Sequence, residues 1–342
     1  MVAQEFTKLY YRTANCLTSD IIADFAPVSR IMGVDVSSGM GVVFTAMGTR
    51  FDMQYVAKEA FAATDNYEAD TRSIDDAPVT EVMRYIRSEL VAGDKVPEEY
   101  KAFTKNVLAG ESVFKQFSEY EEGEKDAQTI FLISPSAMDP KKTAKQFSKV
   151  AGEAGERVRC TNQYKDCGYL LLQLGQMDRA NALAGELMSE LGKYERIVTD
   201  DSYVLDALLV LCPELGEKIQ FIDEFCFEIR KYLSLPEKNI TLHESGVVER
   251  LYPGRKVDYC ELFPKSEVKL PQRNGFDVTD SGIAGGLGLA EPGNLVVIAK
   301  RRMMDLSACG QDVIVTPCAC EALGLNCAEG ETVKTLLEYI CE

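Results

Sequence analysis

Residues 195–199 read ERIVT and residues 312–316 read DVIVT. Each is reached from a stretch with apolar residues at helical spacing that ends in glycine. MDRANALAGELMSELG (177–192) precedes the first, and GNLVVIAKRRMMDLSACG (293–310) precedes the second. Each short β-branched run predicts a strand. Working outward, TIFLISP (129–135), ERVRC (156–160) and KNITLHES (238–245) predict further strands, and PKKTAKQFSKVAGEAG (140–155) and CEALGL (320–325) predict helices. Strands alternating with helices imply parallel sheet and an α/β fold. The echo predicts a duplicated unit of roughly a hundred residues, over 126–236 and 237–342. Residues 1–125 lean helical: DDAPVTEVMRYIRSELVAG (75–93) has a capping Asp and a Pro near its first turn, and VPEEYKAFTKNVLAG (96–110) repeats that design. The acidic stretch SEYEEGEKDAQ (118–128) is read as the linker into the first repeat.

The totals narrow the function. At 342 residues, 46% apolar and 27% charged, the chain has the composition of a globular protein with two or three domains. Acidic residues outnumber basic ones by 54 to 37, a net charge of −17. That disfavours a nucleic-acid groove, whose affinity comes from Lys and Arg on phosphates, and a polybasic membrane contact. There is no run of 18 apolar residues, and MVAQEFTKLYYRT at the start has no apolar segment of the export type, so the expectation is a cytoplasmic protein without membrane insertion. The eleven cysteines then read as reduced thiols. Cys212, Cys226 and Cys341 sit in apolar patterns and are expected in the core.

Three stretches carry the most specific signal: HESGVVERLYPGR (243–255), DSGIAGGLG (280–288) and VTPCACEAL (315–323). Together they resemble the cysteine-rich "CCG" domain of heterodisulfide reductase B and D subunits, found also in iron–sulfur subunits of glycolate oxidase and anaerobic glycerol-3-phosphate dehydrogenase. In that family the segments read His-Asp-Pro-Cys-x3-Arg, Cys-Cys-Gly-x2-Gly-Gly and Val-Thr-x-Cys-x2-Cys. Here His243 matches, and Gly246 stands at the first cysteine. Asp280 and Ser281 replace the Cys-Cys pair, while Gly282, Gly285 and Gly286 match the glycines. Cys318 matches, and Glu321 takes the last cysteine's place. The first repeat resembles the family in the same hollowed-out way. LISPSAMDP (132–140) stands at a Pro-Gly-Cys opening, KDCGYLL (165–171) keeps Cys167 and Gly168 beside Asp166, and VTDDSYVLDAL (198–208) puts Asp200 and Tyr203 in ligand positions.

The resemblance places two ferredoxin-type runs, Cys-x2-Cys-x2-Cys-x3-Cys, in the N-terminal region. CLTSDIIADFAPV (16–28) puts Cys16, Ser19, Ile22 and Ala26 on the first, and the second falls on Thr64, Tyr67, Asp70 and Ile74. The implied architecture is a helical ferredoxin-derived region followed by two CCG-type α/β domains. Of the cluster positions only Cys16, Cys167 and Cys318 are cysteine, and they lie in different motifs. A [4Fe–4S] cluster is held by four thiolates, and the oxygen ligands of Asp, Ser and Glu suit harder ions. The expectation is therefore no cofactor and no metal.

The remaining candidates are weak. Cys318-x-Cys320, with Cys309 and Cys327, departs from the C-x2–4-C spacing of structural zinc, and His243 is the one histidine in the chain. Cys318 at a strand-to-helix turn is a candidate reactive thiol, and His243 beside Glu244 a candidate acid–base group, each against a structural role. Cys160 and Cys167 are expected reduced rather than bridged. GIAGGLG (282–288) lacks the Lys-Ser/Thr of a P-loop and reads as a tight turn before it reads as a phosphate cradle. Arg250, Arg255 and Lys256 form a small basic spot, read first as surface ion pairs. The leading expectation is a cluster-less, non-catalytic homologue serving as scaffold or regulatory subunit of a redox complex, beside a flavin or iron–sulfur protein. The alternative is an enzyme or small-molecule sensor using a cleft between the repeats, lined by Asp200, Asp280, Ser281, Cys318 and Glu321.

Overall fold

Both IVT runs form central strands of parallel sheets. The computed structural model describes residues 56–64, 67, 79–124 and 126–342; Cys16, Ser19, Ile22, Ala26, Asp70 and Ile74 lie outside them. Among the described residues the elements begin with α1 (Ala57–Ala62), α2 (Val79–Ala92) and α3 (Glu98–Leu108). The next elements are β1 (Glu121–Gly123), β2 (Thr129–Leu132), α4 (Pro140–Glu153), β3 (Val158–Thr161), α5 (Tyr169–Gln173), α6 (Met177–Leu191), β4 (Arg196–Thr199), α7 (Ser202–Leu211), β5 (Ile219–Phe221) and α8 (Ile222–Ile229). The remainder comprises β6 (Ile240–Leu242), α9 (Gly246–Leu251), α10 (Tyr259–Leu262), β7 (Val268–Lys269), α11 (Pro292–Ser307), β8 (Val313–Thr316), α12 (Ala319–Leu325), β9 (Val333–Thr335) and α13 (Leu336–Ile340).

The first sheet has the order β1-β3-β2-β4-β5 and the second β7-β6-β8-β9. Without the antiparallel edge strand β1, both are all-parallel sheets of the same topology, second-first-third-fourth. This is doubly wound winding, in which the connection reverses direction beside the first strand and leaves a crevice at the carboxyl ends of the strands. The stretch read as an acidic linker supplies β1. Its weak strand propensity is overridden by pairing with β3 and by an ion pair between Glu121 and Arg159.

Local signals place the helices. Asp139 caps α4 by accepting Lys142 N–H at 2.9 Å, with Pro140 at the first turn. The buried face of α4 stacks Phe147 on Phe131 of β2, ring centres 4.0 Å apart. Fully burying such a side chain stabilises the fold by about 1.5–3 kcal/mol. One apolar core runs through α1–α3 and both sheets, while Met303, Leu306, Ile314 and Leu325 form a smaller one under α11 and α12. Arg87 of α2 is fully buried. Its guanidinium donates to Ala60 O at 2.8 Å, to Gln173 O at 2.9 Å and to Ala63 O, tying α1 to α5.

Candidate functional site

The carboxyl ends of the two sheets abut. The backbone N–H of Ala319, just after β8, donates to Asp200 O, just after β4, at 2.7 Å. β4 and β8 have equal length and each feeds a helix through a short turn, with Asp201 as N-cap of α7 and Cys318 as N-cap of α12. Counting from the shared Thr199 and Thr316, the counterpart of Cys318 is Asp201, one residue beyond the Asp200 that the motif alignment selects. The count to the helix cap sets this register, and the family pattern did not reveal it.

Asp201 is at the centre of the first half-site. One carboxylate oxygen accepts Ser134 Oγ–H at 2.6 Å, and the other accepts Tyr203 N–H at 3.0 Å. Ser136 Oγ lies 2.6 Å from Ser134 Oγ, and Asp200 accepts Ser134 N–H at 2.8 Å. Ser202 Oγ–H donates to Cys318 Sγ at 3.3 Å, and that sulfur lies 4.0 Å from Asp201 Oδ1. All of these side chains are buried. Burial pushes Asp200 up to about 7 and Asp201 up to about 6, against the hydrogen bonds they accept. Burial likewise raises Cys318 and Cys320 well above the ordinary thiol value, with Asp201 adding to it, so both are held as inert thiols. The lowered thiol expected of a strand-to-helix turn is absent because desolvation outweighs any effect of the turn.

The second half-site is a chain of charges. Glu321, fully buried, accepts Tyr203 O–H at 2.7 Å, Ser281 N–H at 2.7 Å and a hydrogen bond from His243 Nε2 at 3.1 Å. His243 Nδ1 faces Arg302 Nη2 at 3.2 Å and Nε at 3.3 Å. A guanidinium only donates, so Nδ1 accepts and the proton sits on Nε2. Burial, with Arg302 beside it, lowers the imidazole's pKa and keeps it neutral. Burial alone would raise Glu321, but its three donors outweigh that and hold it below the ordinary value. Arg302⁺, neutral His243 and Glu321⁻ thus form a compensated relay, and both nitrogens of His243 are engaged.

The other motif positions singled out in the sequence are also engaged. A side-chain carbon at Gly246 would lie 2.5 Å from both oxygens of Asp280. Asp280 takes that space, accepting Gly246 N–H at 3.1 Å and pairing with Arg250 at 3.4 Å. In the glycine-rich loop, Gly285 and Gly286 have φ of +63° and +104°. A side chain at Gly285 would collide with the Tyr169 ring, and the N–H groups of Gly286 and Gly288 are spent on Ile283 O at 2.9 and 3.0 Å. The loop is a packed turn. Cys167 is buried in the turn leading to α5, where Asp166 accepts Leu170 N–H at 2.9 Å. It follows β3, so β2 separates it from β4 in the sheet order. The described cysteines, Cys160 and Cys167 included, are free thiols. Arg255 of the expected basic spot donates to Ile219 O and Gly216 O at 2.9 Å, joining the second repeat to the first.

A tyrosine chain continues from Tyr203. Its ring lies 5.0 Å from that of Tyr169, and Tyr67 O–H bonds Tyr169 at 3.3 Å and Asp206 at 2.8 Å. Tyr252 O–H reaches the other oxygen of Asp206 at 2.6 Å. Asp206 therefore joins the N-terminal region and both repeats. Its sequence signal was one Asp inside the apolar helix SYVLDALLVL (202–211), a buried charge that demands partners. Thr64, Tyr67, Tyr169, Tyr203 and Asp280 border a cavity of about 20 Å³, room for about one water.

This donor set does not fit an iron–sulfur cluster. It offers protonated thiols, engaged carboxylates and a glycine with no space for a side chain. Among the described residues no group of three or more His, Cys, Asp or Glu is arranged to hold a metal ion, and no helix is long and apolar enough to cross a membrane. No protein-family model and no curated protein matches the chain. It is similar in fold to a crystal structure of a hypothetical protein from Helicobacter pylori, with a TM-score of 0.56 at 13% identity, over 93% of this chain and 70% of that one.

Proposed function

We propose that this chain is a cluster-less, non-catalytic relative of the heterodisulfide reductase-like iron–sulfur subunits, retained as a scaffold or regulatory subunit of a redox complex beside a flavin or iron–sulfur protein. The observation that supports the reading is the use made of the ligand positions. Asp200 and Asp201 are bonded to Ser134 within the first half, Asp280 and Glu321 accept from Gly246 and Ser281 within the second, and the Tyr203 O–H donating to Glu321 crosses the junction of the two sheets. A catalytic cleft keeps functional groups free for a substrate, whereas here they are engaged within and between the halves. Among the described residues, the cavity bordered by Tyr169, Tyr203 and Asp280 within this network has a volume of about 20 Å³, room for about one water. Iron and acid-labile sulfide measured after anaerobic purification and reconstitution test the proposal. It predicts neither above trace, and stoichiometric iron and sulfide with cluster absorbance would overturn it.

A further inference from the structure

A second pocket opens at the carboxyl edge of the second sheet, away from the network that joins the halves. Its position follows from topology: β6 and β8 are neighbours in the order β7-β6-β8-β9, and the residues after them, Glu244 and Ser245 on one side and Pro317 on the other, line a cavity of about 50 Å³. This is the crevice where doubly wound sheets take ligands. The first sheet adds Phe221 at the end of β5, and Asp223 in the first turn of α8 joins the same wall.

The polar groups there are unbalanced. Asp223 is buried, accepting Tyr259 O–H at 2.6 Å on one oxygen and Glu224 N–H at 2.8 Å on the other. Glu244 accepts Gly275 N–H through one carboxylate oxygen, Oε2. Glu249 is ion-paired with Lys256, so the pocket's own cation is matched to one carboxylate and leaves two. The decisive group is Ser245. It is 3% exposed, it lines the cavity, and its hydroxyl has no hydrogen-bond partner. A buried hydroxyl left unmatched is unfavourable, a cost that a ligand placed here removes.

We propose that this pocket binds a primary alkylammonium group, whose three N–H donors meet the Asp223 and Glu244 carboxylates and the Ser245 hydroxyl. Three donors on one nitrogen match three acceptors, and the small volume admits a headgroup while leaving the alkyl chain outside. Carboxylate-bearing or phosphorylated ligands find no free cation among the lining side chains, because Lys256 is paired with Glu249. The site is independent of the cluster positions, so its test and the iron analysis succeed or fail separately.

The test is calorimetric titration of n-butylammonium chloride into the whole chain, with tetramethylammonium chloride and NaCl at equal concentration as controls. The proposal predicts saturable binding of butylammonium alone, weakened about tenfold in Glu244→Gln, the equivalent of one charge-assisted hydrogen bond. Ser245→Ala, which removes an unpartnered atom and leaves folding intact, is predicted to weaken it as well. A parallel titration with capped Gly-Lys-Gly separates the sources. Binding of butylammonium alone assigns the site to a free amine, and binding of both opens it to a partner's lysine. Heats equal to the controls, or unchanged affinity in both variants, overturn the proposal.

Discussion

Replacing Tyr203 by Phe removes one oxygen from the junction and leaves the rest in place. The ring keeps its position 5.0 Å from Tyr169, but Glu321 Oε1 loses the hydroxyl that donates to it at 2.7 Å. A hydrogen bond to a charged, buried acceptor contributes about 1.5–3 kcal/mol. Glu321 keeps His243 and Ser281 as donors, which places the expected loss near the lower end, about 2 kcal/mol. Urea denaturation followed by circular dichroism reads it as a lowered midpoint with an unchanged slope. The paired variant Glu321→Gln completes a double-mutant cycle. Because the two side chains touch across the junction, a coupling of about 1–2 kcal/mol is expected. A Tyr203→Phe loss below about 0.5 kcal/mol, or strict additivity in the cycle, would refute the claim that this bond joins the halves.

Three further outcomes follow from the same geometry. Asp200 sits near 7 in the folded chain against about 3.9 unfolded, so its contribution to stability is full below pH 4 and is lost as pH rises to 7. Relative to Asp200→Asn, the wild type is expected to lose up to about 4 kcal/mol over that window, at about 1.4 kcal/mol per unit, and to stay level above it; a flat difference curve contradicts it. Gly246→Ala drives a carbon into Asp280 and is expected to cost about 1–3 kcal/mol, and the double variant Gly246→Ala/Asp280→Ala is less destabilised than the sum of the singles. Iodoacetamide mapping by mass spectrometry of the native protein is expected to label the exposed Cys260 and Cys327 and to spare Cys318 and Cys320; early labelling of Cys318 contradicts the buried-thiol account.

The α/β fold was legible because its signals are local. IVT runs and amphipathic stretches closed by glycine act within a few residues, and each formed the predicted element. What escaped is set by tertiary pairing. β1 became a strand only through β3, despite an acidic sequence that reads as linker. The sequence aligned Asp200 with a ligand position, but the cap of α7 puts Asp201 opposite Cys318. Arg302, which fixes the proton on His243, reads in KRRMMDL (300–306) as one more surface cation, because its burial depends on the strand behind it. Ser245 carries no signal at all in sequence, since an unpartnered hydroxyl is visible only when everything that could pair with it has been placed.

The central claim is that Asp200, Tyr203, Cys318 and Glu321 hold the two sheets shut against each other. Amide hydrogen exchange at Ala319 and Ser281 addresses it most directly, because their N–H groups are bonded across the junction to Asp200 O and within it to Glu321. If the junction opens only when the molecule unfolds, both amides exchange as slowly as the central residues Val198 and Val315 of β4 and β8. Exchange at loop-like rates, with those strands still protected, would mean that the cleft opens in the native protein and would contradict the account.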